Sequence, residues 1–293
     1  MGKVALVTGA SSGIGEAIAA RLLEDGYIVY AGARRLARMA ALERMGARLL
    51  ALDLTVDASM QAAMQRVLGK TGRIDALVNN AGYGAYGALE EVPLEEGRRQ
   101  FEVNLFGLAR LVQLALPAMR EQRSGRIVNI TSIGGKIHEP MGSWYHSTKF
   151  AVEGLSDCLR MELEPFGISV VVIEPGAIKT EWSGIAQQSL IETSGAGPYA
   201  DQARTTAALL AGADKGNGSP PELVARAVSA ALAARKPKTR YVVGGGAKPL
   251  IALRWLLSDR AFDKLMRAAA QSMVSAKRRR SKCSEPSHGQ HAT

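Results

Sequence analysis

The feature that most constrains the fold is a repeated alternation of short apolar runs and amphipathic helical patterns. Residues 3–8 (KVALVT) form an apolar, β-branched run that stops at Gly9. The sequence GASSGIG comes next and leads into a helical pattern that ends at Asp25-Gly26. Further runs typical of strands are 27–33, 48–52, 76–79, 125–132, 169–173 and 240–243, and helices are predicted at 14–22, 36–45, 57–68, 103–120 and 221–234. Buried strands that alternate with helices through short links predict right-handed βαβ units. We therefore predict an α/β fold with a parallel sheet covered on both faces.

The first turn is rich in glycine and separates a predicted strand from a predicted helix. Gly9, Gly13 and Gly15 would let the backbone turn tightly and approach a pyrophosphate, whose charge would meet the free N–H groups of the helix N-terminus. The spacing is G-x-x-x-G-x-G rather than the more common G-x-G-x-x-G of dinucleotide sites. A glycine-rich turn that binds nothing is the alternative.

Two arginines follow the second predicted strand. A protein that prefers NAD commonly has a carboxylate at this distance from the glycines, which binds the ribose 2′-hydroxyl. Here Arg34 and Arg35 occupy the position and no Asp or Glu is present. Because guanidinium groups form paired, charge-assisted hydrogen bonds with phosphate, the pair predicts NADP. Solvated charges at a helix start are the alternative, more plausible for Arg35 than for Arg34.

A tyrosine and a lysine four residues apart indicate proton-transfer chemistry. Tyr145 and Lys149 stand where an apolar helical pattern begins, so both side chains should share one helical face. A nearby ammonium favours the phenolate, so we expect Lys149 to lower the pKa of Tyr145. Ser132 ends the preceding predicted strand, and its hydroxyl could face this pair. An ordinary tyrosine with an exposed lysine is the alternative.

One asparagine stands out in the predicted helix at 103–120. Asn104 lies in its first turns, although asparagine is unfavourable inside helices unless its amide has another task. A local cap is the alternative.

Together these motifs resemble the classical short-chain dehydrogenase/reductase family over about residues 3–245, in family order. The motifs are Thr8-Gly9-x3-Gly13-Ile14-Gly15, Asp53, Asn79-Asn80-Ala81-Gly82, Asn104, Ser132, Tyr145-x3-Lys149 and Pro175-Gly176. The resemblance implies one doubly wound sheet of about seven strands with a nicotinamide cofactor across its C-terminal edge. It also implies an NADP-dependent oxidoreductase that moves a hydride between nicotinamide and a carbonyl or secondary alcohol.

The resemblance assigns roles to four residues. Tyr145 would be the acid/base, Lys149 would hold the nicotinamide ribose and lower the pKa of the tyrosine, and Ser132 would polarise the substrate oxygen. Asn104 would anchor a water that relays protons from Lys149. In the cofactor site, Asp53 and Leu54 would contact the adenine, Asn80 and Gly82 the adenosine ribose, and Ile178 and Thr180 the carboxamide. The remaining expected cofactor contacts are Gly9, Ser11, Ser12, Gly13, Ile14, Gly15, Arg34, Arg35, Ala81, Tyr145, Lys149, Pro175 and Gly176.

The chain divides into a catalytic domain, a helical extension and a tail. We predict the domain at 1–246, with a mobile substrate loop at about 181–219 that is rich in small and polar residues. Residues 247–276 form an amphipathic helical extension, and 277–293 a disordered basic tail with five basic residues and one acid. The extension resembles the branch of the family that acts on steroids, retinoids and other lipophilic alcohols or ketones, although it could equally serve dimerisation.

Composition narrows the remaining choices. The net charge of +10 permits acidic partners such as nucleotides, and the basic tail has no interleaved aromatic residues, so nucleic-acid binding is not expected. No apolar run is long enough for a membrane span, no metal-ligand spacing is present, and the two cysteines fit a reducing compartment. We expect a cytoplasmic homo-oligomer, a dimer or tetramer, that acts on a small carbonyl or alcohol.

Three other functions fit parts of the pattern. A catalytically silent nucleotide-binding regulator could share the fold, but it would not need the Ser, Tyr, Lys and Asn set. A 3-ketoacyl-type reductase is a second alternative, although such chains usually end near Gly244. An epimerase or dehydratase would need more residues after Thr180.

Overall fold

The computed structural model describes residues 2–212 and 218–283, and one sheet of seven parallel strands organises them. The strands are β1 (Val4–Thr8), β2 (Ile28–Ala33), β3 (Arg48–Ala51), β4 (Ala76–Asn79), β5 (Gly125–Ile130), β6 (Ile168–Pro175) and β7 (Arg240–Val243). Their order in the sheet is β3-β2-β1-β4-β5-β6-β7, so the chain reverses its winding direction between β1 and β4. The prediction of a single doubly wound parallel sheet is confirmed.

Helices cover both faces of this sheet. They are α1 (Gly13–Glu24), α2 (Ala40–Arg44), α3 (Asp57–Thr71), α4 (Leu94–Phe101), α5 (Gly107–Glu121), α6 (Ser143–Leu163), α7 (Glu181–Ser194), α8 (Ala200–Gly212), α9 (Pro221–Ala233), α10 (Ala247–Leu256) and α11 (Asp259–Cys283). Side chains alternate across β1, so Ala5 and Val7 join one core with α1 and α9. Val4 and Leu6 join a second core with α3, α5 and α6 on the opposite face.

The long helix before β5 starts earlier than the sequence pattern predicts. We predicted a start at Val103, but α4 begins at Leu94, and a π-helical turn at Glu102–Phe106 joins it to α5. The sequence of α4 is mostly polar, so it has too few apolar residues to show an apolar helical pattern. Glu95 and Glu96 in its first turn and arginines in its last turn complement the helix dipole instead.

The stretch predicted as a substrate loop is largely helical. Within 181–219 the structure forms α7 and α8, while 213–217 lie outside the described residues. Thr180 caps α7, because its Oγ1 accepts a hydrogen bond of 3.3 Å from the N–H of Trp182. Small and polar residues therefore do not make this stretch irregular, since a good cap and buried Ala186 and Leu190 stabilise a helix here.

The C-terminal extension forms the helices α10 and α11. Among the residues with described side chains, α10 buries only Ala247, whereas Trp255 and Leu256 are 79% and 81% exposed. Phe262 of α11 is fully buried, and its ring centroid lies 5.4 Å from that of His138. The backbone of α11 continues to Cys283, so 277–283 are helical where we predicted disorder, and 284–293 lie outside the described residues.

Candidate active site

The glycine-rich turn joins β1 to α1 and is held by the segment that follows β4. Gly9 and Gly13 have φ values of +68° and +57°, which side chains other than hydrogen rarely allow. A Cβ atom on Gly15 would lie 2.3 Å from the carbonyl oxygen of Gly9. Asn80 donates from Nδ2 to the carbonyl of Thr8 over 3.0 Å, and the Thr8 hydroxyl accepts from the N–H groups of Asn80 and Ala81 over 3.0 Å each. Asn80 therefore holds this turn directly.

The N-terminus of α1 fits an anionic ligand. No described side chain caps it, because Ser12 at the cap position makes no side-chain hydrogen bond to the helix. The free N–H groups lie at the positive end of the helix dipole. The glycines of the turn have no side chains that would keep a ligand away from these groups. The residues present therefore fit the pyrophosphate of a dinucleotide.

Charged residues flank this turn at the ends of β2 and β3. Arg35 reaches back to the turn, with its Nη2 at 3.5 Å from Ser11 Oγ, and Arg34 is exposed. Asp53 accepts hydrogen bonds from the Thr55 N–H and hydroxyl over 2.9 and 2.8 Å, and these bonds, with a smaller contribution from Arg34, lower the pKa of Asp53. Leu54 beside it is buried. The contacts that we predicted between these residues and a cofactor stay predictions.

Three of the predicted catalytic residues lie together at the carboxyl end of the sheet. Ser132 follows β5, and its hydroxyl accepts from the Gly134 N–H over 3.0 Å and donates to the Pro175 carbonyl over 3.4 Å. Tyr145 and Lys149 project from the first turns of α6, and both are buried. Lys149 Nζ donates to the Ile130 carbonyl over 3.1 Å and lies 5.9 Å from the centroid of the Tyr145 ring. The arrangement confines two hydroxyls and one amine to the same small space.

The pKa of Tyr145 shifts in the direction opposite to our expectation. Burial raises the pKa of Tyr145 to about 12; hydrogen bonding with Ser132 lowers it in part, and the charge of Glu139 raises it further. Burial also lowers the pKa of Lys149 to about 8, against the attraction of Glu153. The protein alone therefore keeps the phenol protonated, because the cost of burying a phenolate exceeds the benefit of the hydrogen bond with Ser132.

A buried ionic cluster lies behind Lys149 and connects α6, β6 and β7. Glu153 accepts a hydrogen bond of 2.7 Å from the Thr131 hydroxyl and pairs with Lys136 Nζ at 2.9 Å and with Arg240 at 3.1 Å. Glu174 is 3.4 Å from Arg240, and burial, followed by repulsion from Glu153, raises the pKa of Glu174 to about 7. Asp157 also pairs with Arg240 at 2.7 Å, so two cations face three carboxylates and the cluster favours a proton on one of them.

Asn104 lies in the π-helical turn between α4 and α5, and it is buried. Its Oδ1 accepts from the Tyr83 N–H over 3.1 Å, while its Nδ2 is 2.9 Å from the Tyr83 carbonyl and 3.0 Å from the Thr148 hydroxyl. A Cβ atom on Gly82 would lie 3.1 Å from Asn104 Oδ1 and 3.8 Å from Lys149 Nζ, so Gly82 separates the two side chains. Widened turns of this kind often occur at functional sites, and the amide in this one is held by Tyr83 and Thr148.

The segment after β6 connects the substrate side to the glycine-rich turn. Gly176 donates to the Val243 carbonyl over 2.8 Å, and Ile178 forms a parallel bridge with Ser219. Thr180 packs against Gly13, where a Cβ atom would be 3.0 Å from the threonine methyl group. Glu181 then forms an ion pair with Arg38, which lies after β2. The predicted contacts at 175–180 are thus brought next to those at 9–15.

Sequence reasoning missed the aromatic wall beside Tyr145. The ring of Trp182 in α7 lies 5.0 Å from the Tyr145 ring, and the buried Tyr86 lies 5.7 Å from it, both between ring centroids. The Tyr86 hydroxyl donates to Glu139 Oε1 over 3.2 Å. The available signal was the presence of large aromatic residues within stretches of Gly, Ala and Ser next to strand ends.

Two histidines lie in or near the segment that joins β5 to α6. His138 forms an ion pair with Asp263 of α11 at 3.0 Å, whereas His146 Nδ1 is 2.9 Å from the Gly134 carbonyl, next to Tyr145. In the described part of the chain, no three His, Cys, Asp or Glu side chains are grouped as they would be around a metal ion.

Among residues 2–212 and 218–283, no helix is both long and apolar enough to cross a membrane.

Comparison with known proteins agrees with this geometry. The family model described as short chain dehydrogenase matches residues 3–189, which include the glycine-rich turn, Ser132, Tyr145 and Lys149. The chain belongs to the short-chain dehydrogenase family. The resemblance seen in the sequence is therefore confirmed.

Full-length relatives within this short-chain dehydrogenase family include reductases. The chain is 38% identical over 279 residues to the NADPH-dependent 3-dehydrocapnine reductase of Ornithobacterium rhinotracheale, a match that covers 90% of this chain and 95% of that protein. It is 36% identical over 244 residues to the 3-ketodihydrosphingosine reductase of Bacteroides thetaiotaomicron, covering 83% and 88%. A crystal structure of a short-chain dehydrogenase from Streptomyces avermitilis aligns with a TM-score of 0.75 at 34% identity, covering 97% of this chain and 99% of that one.

Proposed function

We propose that the protein is an NADPH-dependent reductase of a lipophilic ketone, able to run in reverse as a secondary-alcohol dehydrogenase. The observation that carries the proposal is the group formed by Ser132, Tyr145 and Lys149 at the carboxyl end of the sheet. Bound nicotinamide supplies or accepts the hydride. The protein must then hold the carbonyl oxygen and deliver a proton to it.

In the proposed mechanism the two hydroxyls act on one substrate oxygen. Ser132 and Tyr145 donate hydrogen bonds to the carbonyl oxygen, where negative charge develops during reduction. Tyr145 then acts as a general acid and transfers its proton to that oxygen. The raised pKa of Tyr145 keeps the phenol in its donating form at neutral pH, which favours the reductive direction.

Lys149 and Asn104 would return the proton to Tyr145. The pKa of Lys149 of about 8 allows its amine to exchange protons near neutral pH. Gly82, which has no side chain, lies between Lys149 Nζ and the amide of Asn104, and in the proposed relay a water anchored by Asn104 passes protons to the amine. Lys149 would also hold the nicotinamide ribose.

The cofactor preference is proposed from the charges around the glycine-rich turn. Arg34 and Arg35 follow β2, and Arg35 Nη2 is 3.5 Å from Ser11 Oγ, so guanidinium groups near the glycine-rich turn would favour a 2′-phosphate. The relative from Ornithobacterium rhinotracheale, named as NADPH-dependent, supports the same choice. The proposed contacts are Gly9, Ser11, Ser12, Gly13, Ile14, Gly15, Arg34, Arg35, Asp53, Leu54, Asn80, Ala81, Gly82, Pro175, Gly176, Ile178 and Thr180.

A lipophilic substrate and a homo-oligomer complete the proposal. Tyr86 and Trp182 form an apolar wall next to Tyr145, which suits a hydrocarbon chain. Phe106, in the π-helical turn before α5, and Phe150 of α6 are 53% and 47% exposed, which suits association with a second copy. Size measurement in solution tests the second point.

Single-turnover hydride transfer tests the proposed activity. Purified protein is mixed with a medium-chain ketone and either NADPH or NADH, and the loss of nicotinamide fluorescence is followed. We expect turnover with both cofactors and a clear preference for NADPH. Binding of NADPH without oxidation, over a panel of ketones and aldehydes, would instead favour the silent nucleotide-binding regulator.

A further inference from the structure

Glu139 places a carboxylate beside the proposed catalytic tyrosine. It lies in the segment between Ser132 and α6, and its side chain is 22% exposed, so a ligand can reach it. The Tyr86 hydroxyl donates to its Oε1 over 3.2 Å and fixes its position against the aromatic wall. Its charge raises the pKa of Tyr145, so the two groups are electrostatically close. The proposed mechanism has no use for this carboxylate.

No lysine or arginine among the described residues forms an ion pair with Glu139. His146 is a neighbour of this carboxylate, and its Nε2 is 3.8 Å from Glu139 Oε1. The other ring nitrogen, Nδ1, is 2.9 Å from the Gly134 carbonyl. Because a carbonyl only accepts, Nδ1 carries a hydrogen. Nε2 is buried and has no hydrogen-bond partner in the described structure, so it makes no hydrogen bond to the carboxylate of Glu139.

A bare carboxylate at this position opposes ketone reduction. Negative charge develops on the substrate oxygen that Ser132 and Tyr145 hold, and a second negative charge nearby raises the energy of that state. A cation carried by the substrate would remove this penalty. It would be attracted to Glu139 and would stabilise the developing charge on its own oxygen at the same time.

We propose that Glu139 is a specificity-determining residue that binds a protonated amine on a carbon close to the reacting carbonyl. The substrate class is then a lipophilic amino ketone, with its ammonium on Glu139 and its hydrocarbon chain along Tyr86 and Trp182. An ammonium has three N–H donors, which suit a carboxylate and the neighbouring aromatic faces. This inference rests on the proposed function, because it concerns a ketone reduced at Tyr145.

The test compares two matched ketones, a long-chain α-amino ketone and its N-acetyl derivative, which is neutral. Wild type should reduce the amino ketone with a kcat/KM about 10- to 100-fold higher, the usual range for a charge-assisted contact. Glu139→Gln keeps the acceptor for the Tyr86 hydroxyl but removes the charge. It should lose most of this preference, and its rate on the N-acetyl ketone should rise.

Protonation of the substrate gives a second readout. The preference of the wild type should fall as the pH rises through the pKa of the amine of the substrate, and in Glu139→Gln it should be small at every pH. A merely structural role for Glu139 would not produce this difference. Glu90→Gln is the matched control. Glu90 also accepts a hydrogen bond from a tyrosine hydroxyl, that of Tyr199 over 2.7 Å, but it lies on the surface.

Several outcomes would overturn the inference. Equal rates of the wild type on the two ketones would remove the cation site, and an equal loss on both ketones in Glu139→Gln would show that Glu139 only supports the fold. In both cases the proposed reductase function survives. Failure of the wild type to reduce either ketone with NADPH or NADH would instead reject the proposed function together with the inference.

Discussion

The carboxyl end of the sheet and the C-terminal extension differ in how tightly their side chains are held. At the sheet, Asn104 and Lys149 are buried and make specific hydrogen bonds to neighbouring elements. In the extension, Trp255 and Leu256 are largely exposed, and Phe262 is the principal buried anchor among the described side chains. The difference indicates that the proposed chemistry depends on positions set by the sheet, whereas the exposed side chains of α10 can vary without disturbing them.

The largest effect is expected at the centre of the tightly held region. Tyr145→Phe keeps the ring but removes the proton donor, so ketone reduction should fall by about 10²- to 10⁴-fold. NADPH affinity and the melting temperature should change little, because the ring remains packed against Trp182. Single-turnover hydride transfer measures the rate of reduction, and NADPH titration measures the affinity. A variant that keeps more than a tenth of the wild-type rate would remove Tyr145 from the mechanism.

Matched leucine substitutions compare the two regions directly. Leu111 of α5 is fully buried, so Leu111→Ala should lower the free energy of unfolding by about 2–5 kcal/mol. Leu256→Ala makes the same chemical change at an 81% exposed position and should cost less than about 0.5 kcal/mol. Chemical denaturation provides both values. Similar losses would mean that α10 is packed in solution, for example in an oligomer.

Arg34 should set the cofactor preference at the edge of the tightly held region. Arg34→Asp should weaken the binding of NADPH by about 1.5–3 kcal/mol, because it removes a charge-assisted contact and adds repulsion. The binding of NADH should improve relative to that of NADPH. Arg44→Asp, at an exposed position in α2, controls for net charge. If the unaltered protein binds both cofactors equally, Arg34 does not select between them.

The ionic cluster predicts a pH dependence of stability. The pKa of Glu174 in the folded protein is raised from 4.5 to about 7, so the folded state binds this proton more tightly than the unfolded state. Its stabilising contribution is complete below about pH 4.5 and is lost as the pH rises through 7, on the order of 1–3 kcal/mol. Denaturation at pH 5.5 and 8.5 should show a smaller loss for Glu174→Gln than for wild type. Identical pH dependence would show that Glu174 is ionised throughout.

The smallest effect is expected from the basic end of the chain. Deletion of 277–293 should change the free energy of unfolding by less than about 0.5 kcal/mol, because five closely spaced basic residues repel one another and favour solvent. Deletion from Lys248 also removes Phe262 and should lower solubility or substrate affinity. Melting curves and turnover of both truncations test this contrast; if both behave alike, the boundary of the extension is misplaced.

The tightly held region was largely predictable from the sequence. Strands end at fixed points in an alternating pattern, so Ser132 and Gly9 had to reach the same edge of the sheet, and Tyr145 and Lys149 had to share a helical face. The resemblance to the family added roles that spacing alone does not supply. Our error at the same site concerned the pKa of Tyr145, because burial depends on packing around the ring, which a sequence does not display.

The surrounding elements were less predictable for physical reasons. The first turns of α4 are polar, and α7 is stabilised by the cap at Thr180 rather than by a clear apolar period. Glu139 and Tyr86 are distant in sequence, and their hydrogen bond results from how two loops fold towards each other. Local patterns report the period of an element, but they do not report which loops meet.

The contact between the start of α7 and the glycine-rich turn has a kinetic consequence. Thr180 packs on Gly13, and Glu181 pairs with Arg38. A dinucleotide lying on this turn would lie next to the start of α7. We therefore expect a compulsory order of binding, in which the nucleotide enters first and leaves last, and product inhibition patterns should show it.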